Sequence, residues 1–119
     1  MQNFRNLEIY QRTEELTTNI YLTTQHFPRE EIYNLTQHMR KTILSVGANI
    51  AEGSVRQSDA EFSRFLHIAF GSLKELEHFL NIANKLGYLT KEENNIFLNK
   101  TTILSKMINK FIKSIKSKS

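Results

Sequence analysis

Apolar residues recur every three or four positions through most of this sequence, which is the period of an amphipathic α-helix. The pattern predicts four helices, over residues of about 7–25, 28–53, 59–86 and 91–114, followed by a basic tail at 114–119. Because short connections make consecutive helices antiparallel neighbours, we expect one all-α domain over residues 1–119. Its architecture would be an up-down-up-down four-helix bundle.

Local signals support the predicted helix ends. Pro28 is tolerated in a first helical turn, and Gly53 stands where a left-handed residue ends many helices. The segments Ser58–Glu61 and Thr90–Glu93 each have the spacing of a capping box, in which a hydroxyl and a carboxylate satisfy the first amides of a helix. The third helix is expected to close at Leu86 and Gly87.

Each long helix carries an apolar stripe suited to a shared core. The stripe of the second helix comprises Ile32, Leu35, Met39, Ile43, Val46 and Ile50, and that of the fourth includes Ile96, Ile103, Leu104, Met107, Ile108, Phe111 and Ile115. The third helix has a core stripe and, beside it, a second stripe of Ile68, Phe79, Ile82 and Leu86. Two interpretations fit the second stripe: a central helix flanked by two neighbours, or a homo-oligomer that buries these residues between subunits.

The net charge of +4 is concentrated in the last quarter of the chain. From Lys100 onward there are six lysines and no acidic residue. Lys106, Lys110 and Lys113 project within about 60° of one another, opposite the apolar stripe, and form a lysine ridge that Lys116 and Lys118 extend. The ridge fits either a solubilising surface or a surface that contacts the phosphates of RNA or DNA without sequence preference.

The segment from Ser45 to Asp59 combines glycines and small residues with Asn49 and Glu52. It lacks the spacing of a phosphate-binding loop, and Gly47 falls inside a helix. Glu52 lies in the last helical turn, where the helix dipole disfavours a carboxylate. A compensating partner is therefore expected among Arg56, Arg64 and the first amides of the third helix, which indicates a structural role.

Glu75 lies between Ile68 and Phe79 on the second stripe, where a carboxylate needs a partner. One interpretation places it at an edge that reaches solvent. The other places it in a polar network with Ser72, Asn49 or an arginine of a neighbour. Together, Asn49, Glu52, Ser72 and Glu75 form the structural polar motif predicted for this chain.

The residue pattern gives little indication of a catalytic site or a metal site. The chain has no cysteine, and Glu75 to His78 is its one Glu-x-x-His, whereas a di-iron bundle needs two copies. Asp59, Ser63 and His67 share the polar face of one helix without an oxyanion donor. No run approaches the roughly 20 apolar residues of a membrane span. We therefore expect a cytoplasmic protein that has no enzymatic activity, cofactor, metal or membrane partner.

Several motifs resemble those of the four-helix bundle proteins related to 23S ribosomal RNA intervening sequences. The resemblance covers nearly the whole chain and rests on five segments. They are Phe4-Arg5-Asn6-Leu7, Phe27-Pro28-Arg29-Glu30-Glu31, Ser45-Val46-Gly47-Ala48-Asn49-Ile50-Ala51-Glu52-Gly53, Glu61-Phe62-Ser63-Arg64-Phe65-Leu66 and Ser72-Leu73-Lys74-Glu75-Leu76-Glu77. The Asn-Ile-Ala-Glu-Gly element followed by Ser-x-x-Glu-Leu is the most specific part.

This resemblance implies a four-helix bundle, often assembled as a homopentameric ring, without established catalytic residues. The chain is also similar to the accessory variability proteins of diversity-generating retroelements, which associate with nucleic acid and a reverse transcriptase. The implied partners are therefore further copies of the chain, RNA or DNA, and a protein such as a reverse transcriptase. The competing hypothesis is a structural or protein-interaction module with no nucleic-acid role.

Overall fold

The computed structural model describes the backbone of residues 3–118 and the side chains of residues 3–116. In this part of the chain it contains four α-helices and no strand. The helices are α1 (Glu8–Thr24), α2 (Leu35–Ser54), α3 (Asp59–Lys85) and α4 (Lys91–Lys118). Two short 3-10 turns, Phe4–Asn6 and Arg29–Glu31, precede α1 and α2. The predicted all-α class is confirmed.

The four helices form a bundle around one apolar core. Each helix contacts its neighbours in sequence, and α1 also contacts α4, which closes the bundle. The described chain measures 46 × 23 × 20 Å along its principal axes. Completely buried side chains come from every helix and include Ile20, Met39, Ile43, Val46, Ile50, Leu66, Leu73, Leu76, Leu80 and Ile108.

The second helix begins later than the sequence predicts. The chain does turn after Pro28, but this turn is 3-10, and Asn34 has non-helical dihedral angles (φ −122°, ψ −107°), so α2 starts at Leu35. The turn is held from outside by Tyr88, whose hydroxyl donates to Glu31 Oε2 at 2.8 Å. Ile32 consequently lies outside the helix and is 46% exposed, although the sequence placed it in the core stripe.

The fourth helix continues further than expected. Its apolar period extends to Ile115, which is buried, and this packing carries the helix through the segment predicted as a tail to Lys118. Near its start the sequence prediction was wrong for Ile96, which is exposed, because the neighbouring Phe97 occupies the core position. Ile103 is likewise exposed beside the buried Leu104.

Gly53 does not end α2 as a left-handed residue. It lies within the helix, one residue before its end, and Gly87 is the one residue of the described backbone that has a positive φ, at 82°. Gly53 instead permits a close approach of two helices, since a methyl group there would sit 2.7 Å from Cβ of Phe65. Gly87 ends α3 in a Schellman motif, in which its amide donates to Asn84 and that of Tyr88 to Ala83.

Both predicted caps are present. Ser58 Oγ accepts from the Glu61 amide at 3.1 Å at the start of α3. At the start of α4 the box is reciprocal: Thr90 Oγ1 accepts from the Glu93 amide at 3.1 Å, and the Thr90 amide donates to Glu93 Oε1 at 2.8 Å. These local bonds explain why the boundaries of α3 and the start of α4 follow the sequence closely.

Candidate functional surfaces

Polar side chains line the outer groove between α2 and α3. Ser45 and Ser72 lie across this groove with their hydroxyl oxygens 3.2 Å apart. Asn49 Nδ2 donates to the carbonyl oxygen of Ser45 at 2.8 Å and to its hydroxyl at 3.1 Å. One turn along, Thr42 Oγ1 donates to Glu75 Oε1 at 3.3 Å. These contacts tie the two helices together through side chains of the predicted polar motif.

Glu75 combines features of both predicted environments. It is hydrogen-bonded across the groove, yet its side chain is exposed rather than buried. Ser72 and Asn49 meet through Ser45 instead of contacting Glu75. The groove therefore presents an accessible carboxylate between apolar neighbours.

Glu52 pairs with Arg56, one turn further on, and both side chains are about half exposed. The Arg56 guanidinium also lies 4.9 Å from the ring centre of Phe65, and that of Arg64 lies 4.6 Å from the same ring. Of the partners considered from the sequence, Arg56 is the one placed against Glu52. An exposed pair of this kind contributes little to stability.

The second stripe is only partly covered within one chain. Phe79 and Ile82 are half-buried, and the imidazole of His38 stacks on Phe79 with ring centres 5.7 Å apart. Ile68 and Leu86 remain 41% and 53% exposed. Packing within one chain thus covers Phe79 and Ile82 in part and leaves the other two members of the stripe open.

The lysine ridge lies on the outer side of α4. Lys106, Lys110 and Lys113 are exposed, opposite the buried Leu104 and Ile108. Lys116 is also exposed and makes contacts of its own, whereas the side chain of Lys118 lies outside those that the structure describes. The ridge presents three separate cationic groups to solvent.

Two surface features were not anticipated from the sequence. An open cleft of about 410 Å³ separates α1 from α2, and the small residues Gly47, Ala48 and Ala51 form part of its lining. The i, i+1, i+4 spacing of these three small residues is the sequence feature from which the cleft could have been predicted. The second feature is Lys74, which is exposed on α3. The sequence does not show which helix lies beside this lysine, and that neighbour decides whether Lys74 can extend another basic surface.

The side chains predicted to be unsuited to metal binding or catalysis can be located in the structure. No three His, Asp or Glu side chains among those that the structure describes come together to hold a metal ion. Ser63 is buried, whereas Asp59 and His67 are exposed. None of the described helices is long and apolar enough to cross a membrane.

Comparison with known proteins identifies the family. The family model described as 23S rRNA-intervening sequence protein matches residues 5–110. The chain belongs to this family. A solved relative in the S23 ribosomal protein family, a protein of unknown function from Bacteroides thetaiotaomicron, is similar in fold, with a TM-score of 0.79 and 25% identity. The similarity covers 88% of this chain and 98% of that one. No curated protein matches the chain.

Membership in the 23S rRNA-intervening sequence protein family accords with the four-helix bundle and with the resemblance seen in the sequence. The solved relative has unknown function, so the similarity extends to the fold and brings no activity with it. Any role for this family member must be argued from its own surfaces.

Proposed function

We propose that this protein is a non-enzymatic, oligomeric helical scaffold that binds RNA or DNA non-specifically through the lysine ridge. The observation that carries the proposal is the exposure of Lys106, Lys110 and Lys113 on one side of α4. No acidic residue follows Lys100 in the sequence to neutralise them from within the same segment. Phosphate contacts from such lysines neutralise charge and release counterions, and they read no bases.

The proposed scaffold is an up-down-up-down bundle. Contacts along neighbouring helices run in opposite order: Thr42 meets Glu75 and Ser45 meets Ser72 between α2 and α3. Between α1 and α2, the Arg40 guanidinium donates to Thr24 Oγ1 at 2.9 Å near one end, and Gly47 lies beside Thr13 nearer the other. Both patterns favour antiparallel neighbours, as the short connections do.

The oligomer is proposed to form through the second stripe. Ile68 and Leu86 are exposed apolar side chains on one line of α3, which is typical of a surface that a second copy covers. A homopentameric ring is the assembly that the family resemblance suggests, and a cytoplasmic location accompanies this proposal. A reverse transcriptase is the protein partner to test, and the genes that adjoin this one would indicate whether one is present.

Nucleic-acid binding is tested by fluorescence anisotropy with a labelled 20-nucleotide RNA and a 20-base-pair DNA at 50 and 200 mM salt. We expect binding at low salt that weakens at high salt, and loss of binding in a triple variant with Lys106, Lys110 and Lys113 changed to Glu. The matched control changes Arg29, Lys41 and Lys91 to Glu, because these exposed residues lie off the ridge and give the same charge change. Absence of binding at low salt, or equal loss in both triple variants, contradicts the proposal.

Oligomeric state is tested by light scattering. We expect a particle of about five times the chain mass of 13.9 kDa, and a smaller one for Ile68→Asp. The control is Ile96→Asp, at an exposed isoleucine on α4. A monomeric wild-type protein contradicts oligomerisation, and disruption by Ile96→Asp alone contradicts the assignment to α3.

The alternative is a structural or protein-interaction module whose charge only keeps it in solution. The exposed second stripe favours this function independently of the lysines, because apolar contacts need no nucleic acid. An oligomer that fails to bind RNA and DNA in the anisotropy experiment is the result that this alternative predicts.

A further inference from the structure

We propose that the nucleic-acid surface crosses from α4 onto α3 through His67, Lys74 and His78, and that the resulting band binds a duplex. This inference rests on the proposed function of the lysine ridge and adds the second half of its surface. None of the three α3 residues belongs to the ridge predicted from the sequence. Their contribution follows from the way α3 and α4 pack.

Three contacts set the register of α3 against α4. Asn94 Nδ2 donates to Asn81 Oδ1 at 3.2 Å, and Thr101 Oγ1 donates to Glu77 Oε2 at 2.7 Å. Further along, the rings of Phe62 and Phe111 lie 5.5 Å apart. Residue numbers fall along α3 as they rise along α4. In this register Lys106 lies level with the part of α3 between His67 and Lys74.

Lys74 is held at the edge of α3 that borders α4. Its Nζ lies 3.3 Å from Glu77 Oε1 and 5.3 Å from the ring centre of Phe70. The other oxygen of Glu77 accepts from Thr101 on α4. Glu77 therefore fixes Lys74 beside α4 and is itself occupied on both oxygens.

His67 and His78 lie on the same outward face of α3 as Lys74, and the ring centre of His78 lies 5.6 Å from that of Phe79. They lie seven residues before and four residues after Lys74, which are helical spacings that bring all three to one face, and all three are exposed. At about 1.5 Å per residue, the band from the level of Lys113 to His78 is about 25 Å long. It is long enough to follow roughly seven base pairs at about 3.4 Å of rise each.

The band suits a duplex better than a single strand. Proteins that bind single strands stack bases on exposed aromatic rings. In this band Phe70 is half-buried and Lys74 lies over its ring, while Tyr33, which is 83% exposed, lies just before α2. Two rows of basic groups on helices whose axes lie about 8–10 Å apart can instead reach the two backbones that flank a groove about 6–12 Å wide.

The experiment measures anisotropy of a labelled 20-base-pair DNA duplex, whose groove dimensions the band fits, and of one of its strands, between 50 and 200 mM salt at pH 7. We expect the duplex to bind more tightly. The double variant Lys74→Gln/His78→Gln should weaken duplex binding several-fold and lower the salt slope by about one. The matched control is His26→Gln/Lys41→Gln, at exposed residues off the band, which should bind as wild type does.

The variant Glu77→Gln is expected to raise the affinity for the duplex, whereas the α3 double variant should lower it. It removes the carboxylate of the band while keeping an oxygen that can accept from Thr101, so duplex binding should tighten. Circular dichroism of this variant checks that the gain comes from the folded protein. Unchanged binding in both this variant and the α3 double variant, with loss in the triple ridge variant, overturns the α3 extension alone.

Other outcomes have equally distinct meanings. No duplex or single-strand binding by wild type at 50 mM salt refutes the proposed function itself. Equal affinity for the single strand refutes the choice of a duplex. Tighter binding of poly-glutamate than of the duplex at matched charge concentration refutes nucleic acid as the partner class in favour of an acidic protein.

Discussion

Replacing Gly53 with Ala should destabilise the protein even though alanine is the better helix former. Gly53 lies inside α2, where a change to Ala ordinarily gains about 1 kcal/mol in helix propensity. The added methyl group, however, would lie 2.7 Å from Cβ of Phe65 and 3.0 Å from Cδ1 of Phe62. The first of these atoms is fixed to the backbone of α3, so relief requires the two helices to separate.

Overpacking of this kind costs about 1–3 kcal/mol, which exceeds or cancels the gain in propensity. We expect a net loss of up to about 2 kcal/mol in the free energy of unfolding. The assay is urea denaturation followed by far-ultraviolet circular dichroism, at one fixed protein concentration because assembly couples to stability.

Gly71→Ala is the matched control for Gly53→Ala. Gly71 also lies within a helix, but an added methyl group there meets nothing within 4 Å. This variant should gain about 1 kcal/mol. If Gly53→Ala is as stable as Gly71→Ala, the close approach of α2 and α3 does not require a glycine at position 53.

Two further predictions concern the polar contacts that fix the ends of helices. The hydrogen bond to Glu31 and, to a lesser degree, partial burial and the charges of Glu31 and Glu30 raise the pKa of Tyr88. Because the neutral hydroxyl is favoured in the folded state, this stabilisation is complete below the ordinary tyrosine pKa of about 10 and declines as pH rises through the raised pKa. Tyr88→Phe should therefore lower the urea midpoint at pH 7 and show a smaller difference from wild type at pH 11; an equal difference at both pH values would contradict this reasoning. Thr90→Ala should cost about 1 kcal/mol through loss of the α4 capping box, measured in the same way. Its control is Thr102→Ala, at an exposed mid-helix position, and an equal loss there would show that the cap is unimportant.

The sequence predicts those features that depend on neighbours within one or two turns. The bounds of α3 follow from Ser58, which accepts from Glu61, and from Gly87, whose positive φ ends the helix. The start of α2 was harder to predict, because the 3-10 turn before it contacts a distant residue: Glu31 accepts from Tyr88, 57 residues away. Gly53 was misread for a related reason. A glycine that ends a helix and one that admits another helix look alike until the position of Phe65 is known.

The candidate surfaces divide in the same way. The lysine ridge could be predicted because Lys106, Lys110 and Lys113 lie on one helix, whose period alone places them together. The proposed contribution of Lys74 could not be predicted, since it rests on the contact between Glu77 and Thr101 that sets α3 against α4. The exposure of Ile68 and Leu86 likewise required knowledge of how far α2 and α4 cover α3.

The two proposed interfaces use different edges of α3. Ile68 shares the α2 side of α3 with Phe79, which stacks on His38, whereas Lys74 lies on the α4 side beside Glu77 and Thr101. Assembly through the α2 side therefore leaves Lys74 and the lysine ridge of every subunit accessible, whereas His78, whose ring centre lies 5.6 Å from that of Phe79, borders the subunit interface. A ring would repeat that band around its circumference, so that each later contact with the same duplex becomes intramolecular. Weak, salt-sensitive binding by a single chain then suffices for strong binding by the assembly, which is why a surface of only a few cations is an adequate basis for the proposed scaffold.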